Sequence, residues 1–127
     1  MKITNLDTVV VDFYRTNLIF VRLSTDEGLT GIAEATLEGQ EHAVRGAVAV
    51  LADAVRGKDP TRITRTIYEV NRDAYWRGGP VSMTALSALE VAMWDVSARA
   101  LGVPVHLMLG GQVRNRVRAY EIGRAHV

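Results

Sequence analysis

Residues 18–35 read LIFVRLSTDEGLTGIAEA, and this stretch settles the first half of the fold. Leu18 to Leu23 and Leu29 to Ala35 are rich in β-favouring residues and predict two short strands. Asp26-Glu27-Gly28 lies between them as a turn signal, because glycine adopts positive φ without steric cost. Upstream, the run from Ile3 to Phe13 predicts another strand. Three consecutive strands with short connections predict an antiparallel meander.

After the third strand the apolar spacing changes to that of a helix. A first helix is predicted from Gln40, ending at Gly57. A second is predicted from Asp59-Pro60, because aspartate caps helices and proline suits the first helical position. The predicted buried stripes of these two helices are Val44, Ala47, Val48, Leu51 and Val55, and then Ile63, Ile67, Val70 and Ala74.

A break at Arg77-Gly78-Gly79-Pro80 separates the second predicted helix from a third, which is predicted from about Ser82 to Leu101. Gly102 ends that helix and Pro104 prevents its continuation. One more helical turn is predicted over Val105 to Leu109, and a strand begins over Val117 to Tyr120. Strands followed by helices predict an α+β fold with helices on one face of the sheet. The third helix should bury Leu86, Leu89, Met93, Val96 and Ala100.

Composition limits the possible functions. The chain has 127 residues, a one-domain length, of which 48% are apolar, and it has no cysteine. Disulfides, thiolate nucleophiles and cysteine metal sites are therefore excluded. The net charge of +1 offers no one-sided field for nucleic acid or anionic lipid. The N-terminus lacks a signal-peptide pattern, and no apolar run approaches the roughly 20 residues of a membrane span. We expect a cytoplasmic protein without nucleic-acid or membrane partners.

Three stretches together resemble a known group of proteins. Residues 25–36 (TDEGLTGIAEAT) are similar to its second turn and third strand, and residues 74–81 (AYWRGGPV) to the segment before its long helix. Residues 85–96 (ALSALEVAMWDV), followed by ALGVPV at 100–105 and LGG at 109–111, are similar to that helix and its exit. In this order they resemble the mandelate racemase and muconate lactonizing branch of the enolase superfamily, and its galactonate and mannonate dehydratases most.

The resemblance implies the N-terminal capping domain of a two-domain enzyme. It implies a three-stranded meander and a three-helix bundle over residues 1–111. Residues 112–120 would then begin a (β/α)8 barrel, a fold of roughly 250 residues. The family's Mg²⁺ ligands and its acid and base residues lie in the barrel. We therefore expect no catalytic residue and no metal ligand in this chain, and no activity from the chain alone.

The implied reaction is the dehydration of a sugar acid. It begins with removal of the proton α to the carboxylate, and Mg²⁺ stabilises the resulting dianion. The residues alone leave two other functions possible. One is a racemase, epimerase or cycloisomerase of the same superfamily, and the other is a stand-alone α+β binding or oligomerisation module. The resemblance also implies that the full-length parent is a homo-oligomer.

The last seven residues, 121–127 (EIGRAHV), depart from the family pattern. They are what GAG ATC GGA AGA GCA CAC GTC would encode, which resembles a sequencing-adapter read-through. We hypothesise that 121–127 are non-native and no part of the natural fold.

Two loops of the capping domain are implied to contact the substrate. In the loop between the first two strands the candidates are Tyr14, Arg15 and Asn17, which can donate hydrogen bonds to hydroxyls or a carboxylate. In the loop after the third strand they are Thr36 and Glu38. The mannonate-type pattern has an amide residue where Glu38 stands, so this position departs from it. Alternatively, the first loop is a polar hairpin turn and the second a helix-capping loop.

Other residues that could carry chemistry favour structural roles. Trp76 and Arg77 are interpreted as a packed aromatic residue and a surface arginine, with a subunit contact or the barrel mouth as the alternative. Asp95 is interpreted as a structural hydrogen-bond acceptor, beside Trp94 in the core. His42 and His106 have no partner at metal-ligand spacing.

Overall fold

The computed structural model describes residues 1–14 and 16–119; Arg15 and residues 120–127, including the hypothesised tail, lie outside this description. The predicted α+β fold, a three-stranded antiparallel sheet followed by helices, is confirmed. Residues 112–119 form neither helix nor strand, so the described part of the strand predicted at Val117 to Tyr120 is not one. The elements are β1 (Ile3–Phe13), β2 (Thr16–Thr25), β3 (Thr30–Glu34), α1 (Glu41–Val55), α2 (Ile63–Asp73), α3 (Pro80–Leu101) and α4 (Val105–Met108).

The sheet has the order β1-β2-β3, and both pairings are antiparallel. Thr8 lies opposite Val21, and Val21 lies opposite Ala33, so these three residues share one face. We call it the inner face, because α1 and α3 pack against it. Its core residues are Leu6, Ile19, Val21, Leu23 and Ala33, all buried. The hydrophobic core therefore lies between the sheet and these two helices.

The start of α2 was predicted wrongly. The helix begins at Ile63, four residues after the predicted cap Asp59. The Asp59 carboxylate instead accepts hydrogen bonds from the backbone N and the hydroxyl of Thr61, at 2.9 and 2.8 Å. These bonds close a turn in which Pro60 is buried and its carbonyl accepts from Ser97 Oγ on α3 at 3.2 Å. Aspartate favours such turns as strongly as it favours helix caps, so its pattern does not separate the two.

The third helix agrees with its predicted length but not with every predicted contact. Pro80 is its first residue, and Gly102 ends it with φ of 67°. Leu86, Leu89, Met93 and Val96 are buried, whereas Ala100 is exposed because the buried face of α3 ends at Val96, Ser97 and Ala98. The interpretation of Trp76 as a packed aromatic residue is wrong, because its side chain is 85% exposed. None of the helices among the described residues is long and apolar enough to cross a membrane.

Glu69 ties α2 to the segment that follows α1. Its carboxylate accepts a hydrogen bond from Arg65 Nε at 2.7 Å and another from Lys58 Nζ at 3.1 Å. These bonds, the one from Arg65 first, lower the pKa of Glu69 from 4.5 to about 2. A depressed folded-state pKa means that the stabilisation is complete above the unfolded-state pKa and is lost as the pH falls through the folded-state value.

We expect Glu69→Gln to lower the melting temperature at neutral pH and to have a smaller effect as the pH falls from about 4.5 to about 2. Thermal melts of both proteins across this range measure the difference. Asp53→Asn is the matched control, because Asp53 is 86% exposed and makes only a 3.9 Å ion pair with Arg56. A difference between wild type and Glu69→Gln that stayed constant down to pH 2 would contradict the assignment.

Candidate functional site

β1 and β2 form a hairpin in which Phe13 pairs with Thr16, and Tyr14 lies in the turn after Phe13. Tyr14 has φ of 50° and its side chain is 79% exposed. Left-handed backbone costs a non-glycine residue about 1–2 kcal/mol. Two-residue hairpins require positive φ, but asparagine or glycine usually supplies it. Residues with strained backbone occur often in ligand-binding loops, so Tyr14 is a candidate functional residue. The predicted site residue Arg15 lies outside the described residues.

Asn17 is a predicted site residue that lies in a strand, not in a loop. It belongs to β2, opposite Asp12, and is half-buried. Its neighbour Thr16 was not a predicted site residue, yet its hydroxyl oxygen is buried without a hydrogen-bond partner among the described residues. A buried polar atom without a partner costs about 1–3 kcal/mol, so Thr16 is a candidate to bond a ligand or another segment. A threonine at this position gave no indication of such a role in the sequence.

The loop between β3 and α1 is fastened to β2. Ala35 donates its backbone N–H to the carbonyl of Ile19 at 2.7 Å, and Ile19 donates its own N–H to Thr36 Oγ1 at 3.1 Å. Ile19 is two residues from Asn17, a separation of roughly 7 Å along a strand. The structure therefore brings Asn17 and Thr36, predicted from different loops, to the same end of the sheet.

Glu38 lies at the exposed tip of the β3–α1 loop, before Gly39 with φ of 71°. Gln40, at the N-cap of α1, makes no side-chain capping bond, and Glu41 is the acidic residue of the first turn. The alternative interpretation as a helix-capping loop is therefore supported at Glu41, which lies near the positive end of α1, but no side chain caps the helix by a hydrogen bond. The Glu38 carboxylate makes no ion pair with the described residues and is accessible to a ligand.

The interpretation of Asp95 as a structural acceptor is confirmed. Its Oδ2 accepts the backbone N–H of Ile32 at 2.9 Å and Arg99 Nε at 3.1 Å. Ile32 is on β3, an edge strand, so Asp95 satisfies a donor that would otherwise stay open on the sheet edge. The Asp95 carboxylate therefore has a structural role, which is to join α3 to the sheet.

The outer face of the sheet, opposite the helices, is also apolar. An antiparallel sheet with one solvated face normally alternates apolar with polar residues. Here the outer face carries Val9, Val11, Phe13, Leu18, Phe20 and Ile32 beside the charged residues Asp7, Arg22 and Glu34. Val11 is 42% exposed, Ile32 49% and Phe13 59%. Beside Ile32 the apolar surface continues into a groove that Val91, Trp94 and Leu109 line. An apolar patch of this size is typical of a surface that contacts another domain or partner, and the described residues do not cover it.

The residues present do not fit a metal centre. Over residues 1–14 and 16–119, no group of three or more His, Cys, Asp or Glu side chains could hold a metal ion. No chemical step through a metal can therefore be assigned to these residues. What the two loops offer instead is hydrogen-bond donors and acceptors: the Tyr14 hydroxyl, the Asn17 amide, the Thr36 hydroxyl and the Glu38 carboxylate.

Comparison with known sequences gives relatives that share this domain. A D-galactonate dehydratase family member of Pseudarthrobacter chlorophenolicus is 43% identical over 121 residues, which are 94% of this chain and 29% of the relative. The D-galactonate dehydratase of Pectobacterium atrosepticum is 40% identical over 122 residues, 94% of this chain and 31% of the relative. The chain thus spans about 30% of the length of these curated relatives.

Solved structures share the fold. An enolase from Pantoea ananatis, with bound D-gluconate and Mg, superposes with a TM-score of 0.84 at 37% identity; the match covers 89% of this chain and 28% of that one. A member of the enolase superfamily from Salmonella Typhimurium superposes with a TM-score of 0.85 at 30% identity, covering 89% of this chain and 30% of that one.

A family profile defines the relationship. The profile described as "Mandelate racemase / muconate lactonizing enzyme, N-terminal domain" matches residues 4–110, most of the described chain. The match includes both loops and the whole helical layer. The chain therefore belongs to the N-terminal domain family of mandelate racemase and muconate lactonizing enzyme, within the enolase superfamily.

Proposed function

We propose that this chain is the substrate-capping domain of a Mg²⁺-dependent hydro-lyase that dehydrates a sugar acid. The observation that carries the proposal is the convergence of Asn17 and Thr36 at one end of a sheet whose outer face has an exposed apolar patch. Relatives named D-galactonate dehydratase and a neighbour with bound D-gluconate and Mg support it. Residues 1–111 would be the capping domain, and 112–120 would lead into a catalytic barrel.

In the full-length enzyme, this chain would bind and orient the substrate and exclude water from the active site. Tyr14, Arg15, Asn17 and Thr36 would donate hydrogen bonds to substrate oxygens. Thr36 Oγ1 already accepts a bond from Ile19, so its hydroxyl proton is the part left to donate. Mg²⁺, bound by other residues, would supply stabilisation of the charge that develops on the substrate carboxylate. Closure of such loops raises the strength of every polar contact at the reacting centre.

Glu38 would select the end of the substrate that it meets. A carboxylate accepts bonds from sugar hydroxyls but repels a second carboxylate. We propose that Glu38 faces the hydroxyl end of a mono-acid, such as a galactonate-, gluconate- or mannonate-like compound. The proposal includes a cytoplasmic, homo-oligomeric full-length enzyme.

The test is a chimera in which this chain replaces the 122 matched residues of the Pectobacterium atrosepticum D-galactonate dehydratase. We expect the chimera to dehydrate at least one sugar mono-acid, and this chain alone to form no product. Product formation is followed by the absorbance of a carbonyl derivative across a panel of mono- and diacids. Glu38→Gln in the chimera should raise kcat/KM for diacids relative to mono-acids by roughly tenfold, because it removes one charge repulsion of about 1–2 kcal/mol.

Three outcomes would contradict the proposal. Turnover by this chain alone would remove the need for a barrel. A folded chimera that exchanges the α-proton with solvent deuterium but releases no water would favour a racemase or epimerase. A folded chimera that neither exchanges nor dehydrates, while the parent enzyme does both, would favour a stand-alone binding module. Glu41→Gln is the matched control for the specificity change, because Glu41 lies within α1.

A further inference from the structure

The sheet loses its third strand before the β1–β2 hairpin reaches its turn. β3 pairs with β2 only from Phe20 to Ser24, whereas β1 pairs with β2 as far as the turn. Residues 11–13 and 16–18, which we call the ribbon, therefore pair only with each other. The cover of the helices also ends here, because Ile19 is 0% exposed on the inner face while its partner Val10 is 39% exposed. Two strands alone are marginally stable, so the ribbon depends on its attachment to the rest of the sheet.

On β2 that attachment is made at Ile19, by two bonds to the segment that follows β3. In a regular antiparallel ladder, two opposed residues exchange both backbone bonds. Ala35 donates its N–H to the Ile19 carbonyl at 2.7 Å, but the Ile19 N–H is accepted by Thr36 Oγ1, at 3.1 Å. A side-chain oxygen thus replaces one carbonyl of the ladder. The replacement extends the ladder by one residue while the main chain turns away toward α1.

Asn17 is the ribbon residue that this attachment controls. Residues two apart on a strand point the same way, so Asn17 shares the inner face with Ile19, and its backbone groups point toward the side of β3. No residue of β3 pairs with Asn17; its partner is Asp12, which belongs to the ribbon as well. The angle that the ribbon makes with the sheet at Ile19 therefore decides where the Asn17 amide lies relative to the β3–α1 loop.

We propose that Thr36 is a positioning residue, whose hydroxyl holds the ribbon at the angle that lets Asn17 and the β3–α1 loop contact the same substrate. The part that concerns the substrate rests on the proposed function. The oxygen of this hydroxyl accepts from Ile19, and its proton is directed to a substrate oxygen. Donating that proton polarises the hydroxyl and makes it a better acceptor. A substrate bound at Thr36 would thus strengthen the bond that places Asn17.

Amide hydrogen exchange in the chain alone, followed by NMR, tests the attachment, with Leu18 as the reporter. The Leu18 N–H points to β1 and away from Thr36, because successive residues of a strand bond to opposite sides. Thr36→Val removes the acceptor and keeps the shape, and it should accelerate exchange at Leu18 by roughly fivefold, the effect of one lost hydrogen bond. Thr36→Ala should act in the same way. Thr36→Ser keeps the oxygen and should leave the rate within about twofold of wild type.

Thr25→Val is the matched control, because it removes a hydroxyl bond at the opposite end of the same strand. Thr25 Oγ1 donates to the Leu29 carbonyl at 2.9 Å. We expect Thr25→Val to lower the melting temperature but to leave exchange at Leu18 within about twofold of wild type, since the ribbon opens locally. A loss of stability alone therefore does not reproduce the effect of Thr36→Val.

The dehydratase chimera separates positioning from direct contact with the substrate. Thr36→Val should lower kcat/KM by a factor at least about three times larger when Asn17 is present than in an Asn17→Ala background, because part of its effect acts through Asn17. Thr36→Ser should retain most of the kcat/KM, and Thr25→Val should leave it within about twofold of the unmodified chimera. A purely structural role for Thr36 predicts no dependence on Asn17.

Two results would overturn the proposal. Exchange at Leu18 that is unchanged in Thr36→Val and Thr36→Ala, or that Thr25→Val accelerates equally, would mean that the bond at Ile19 does not hold the ribbon. Equal losses of kcat/KM in the two Asn17 backgrounds would mean that Thr36 does not act through Asn17. Failure of the proposed function gives a different result, namely an unmodified chimera without dehydration product while exchange at Leu18 still depends on Thr36.

Discussion

Replacing Gly31 by alanine should lower the free energy of unfolding by about 3 kcal/mol or more, the upper range for overpacking a core. Gly31 lies on β3 where α3 crosses the sheet. A Cβ at this position would meet the backbone oxygen of Ala92 at 2.1 Å and the backbone nitrogen of Val96 at 2.9 Å. Backbone atoms in the middle of a helix cannot rotate away as a side chain can. The whole helix would have to move from the sheet, and the Asp95–Ile32 bond would lengthen with it.

Urea unfolding followed by circular dichroism measures this loss, and a thermal melt should shift downward by about 10 °C or more. Gly46→Ala is the matched control. Gly46 lies exposed in α1, and a Cβ there would have no neighbour within 4 Å. That variant should gain about 0.5–1 kcal/mol, because alanine favours a helix over glycine. Equal effects of the two substitutions would mean that α3 does not approach the sheet at Gly31.

The sequence predicted the elements well because periodicity and turn chemistry are local. β1 was predicted from Ile3 to Phe13 and has those bounds. The end of α3 at Gly102 was also predicted from a local signal, the glycine that follows the last helical residue. Gly31 shows the limit of this logic. A glycine within a strand pattern signals a bulge, a bend or a close approach, and only the packing of β3 against Ala92 tells which one applies.

The candidate site was predictable in position but not in detail. Family resemblance indicated both loops, and no pattern in the residues alone did so. The bond from Ile19 to Thr36 joins residues 17 positions apart, so spacing could not reveal it. Asn17 was predicted in a loop because the apolar run of the second strand begins at Leu18, yet pairing with Asp12 extends β2 over Asn17. The exposure of Trp76 contradicts residue-type preference, which strongly favours burial of tryptophan.

Ile19→Ala and Ile32→Ala should differ by several kilocalories per mole, although they are the same substitution in the same sheet. Ile19 is on the inner face and 0% exposed, and Ile32 is on the outer face and 49% exposed. Truncating a fully buried isoleucine costs about 2–5 kcal/mol, because it loses transfer free energy and leaves a cavity. At Ile32 much of the side chain already contacts water, so we expect a cost of about 1 kcal/mol or less in this chain. Equal costs would mean that the outer face is already covered.

The same pair of variants, placed in the dehydratase chimera, tests what covers the outer face. If the outer face packs against the downstream domain there, Ile32 becomes buried and its truncation should cost about 2–5 kcal/mol, as at Ile19. The cost of Ile19→Ala should stay the same, because the helices bury it in either context. The change in the Ile32 penalty between the two contexts therefore measures the contact across the outer face, while Ile19 reports the folding of the domain itself. An Ile32 penalty that is equally small in both contexts would leave the outer face solvated and remove the physical basis for a capping domain.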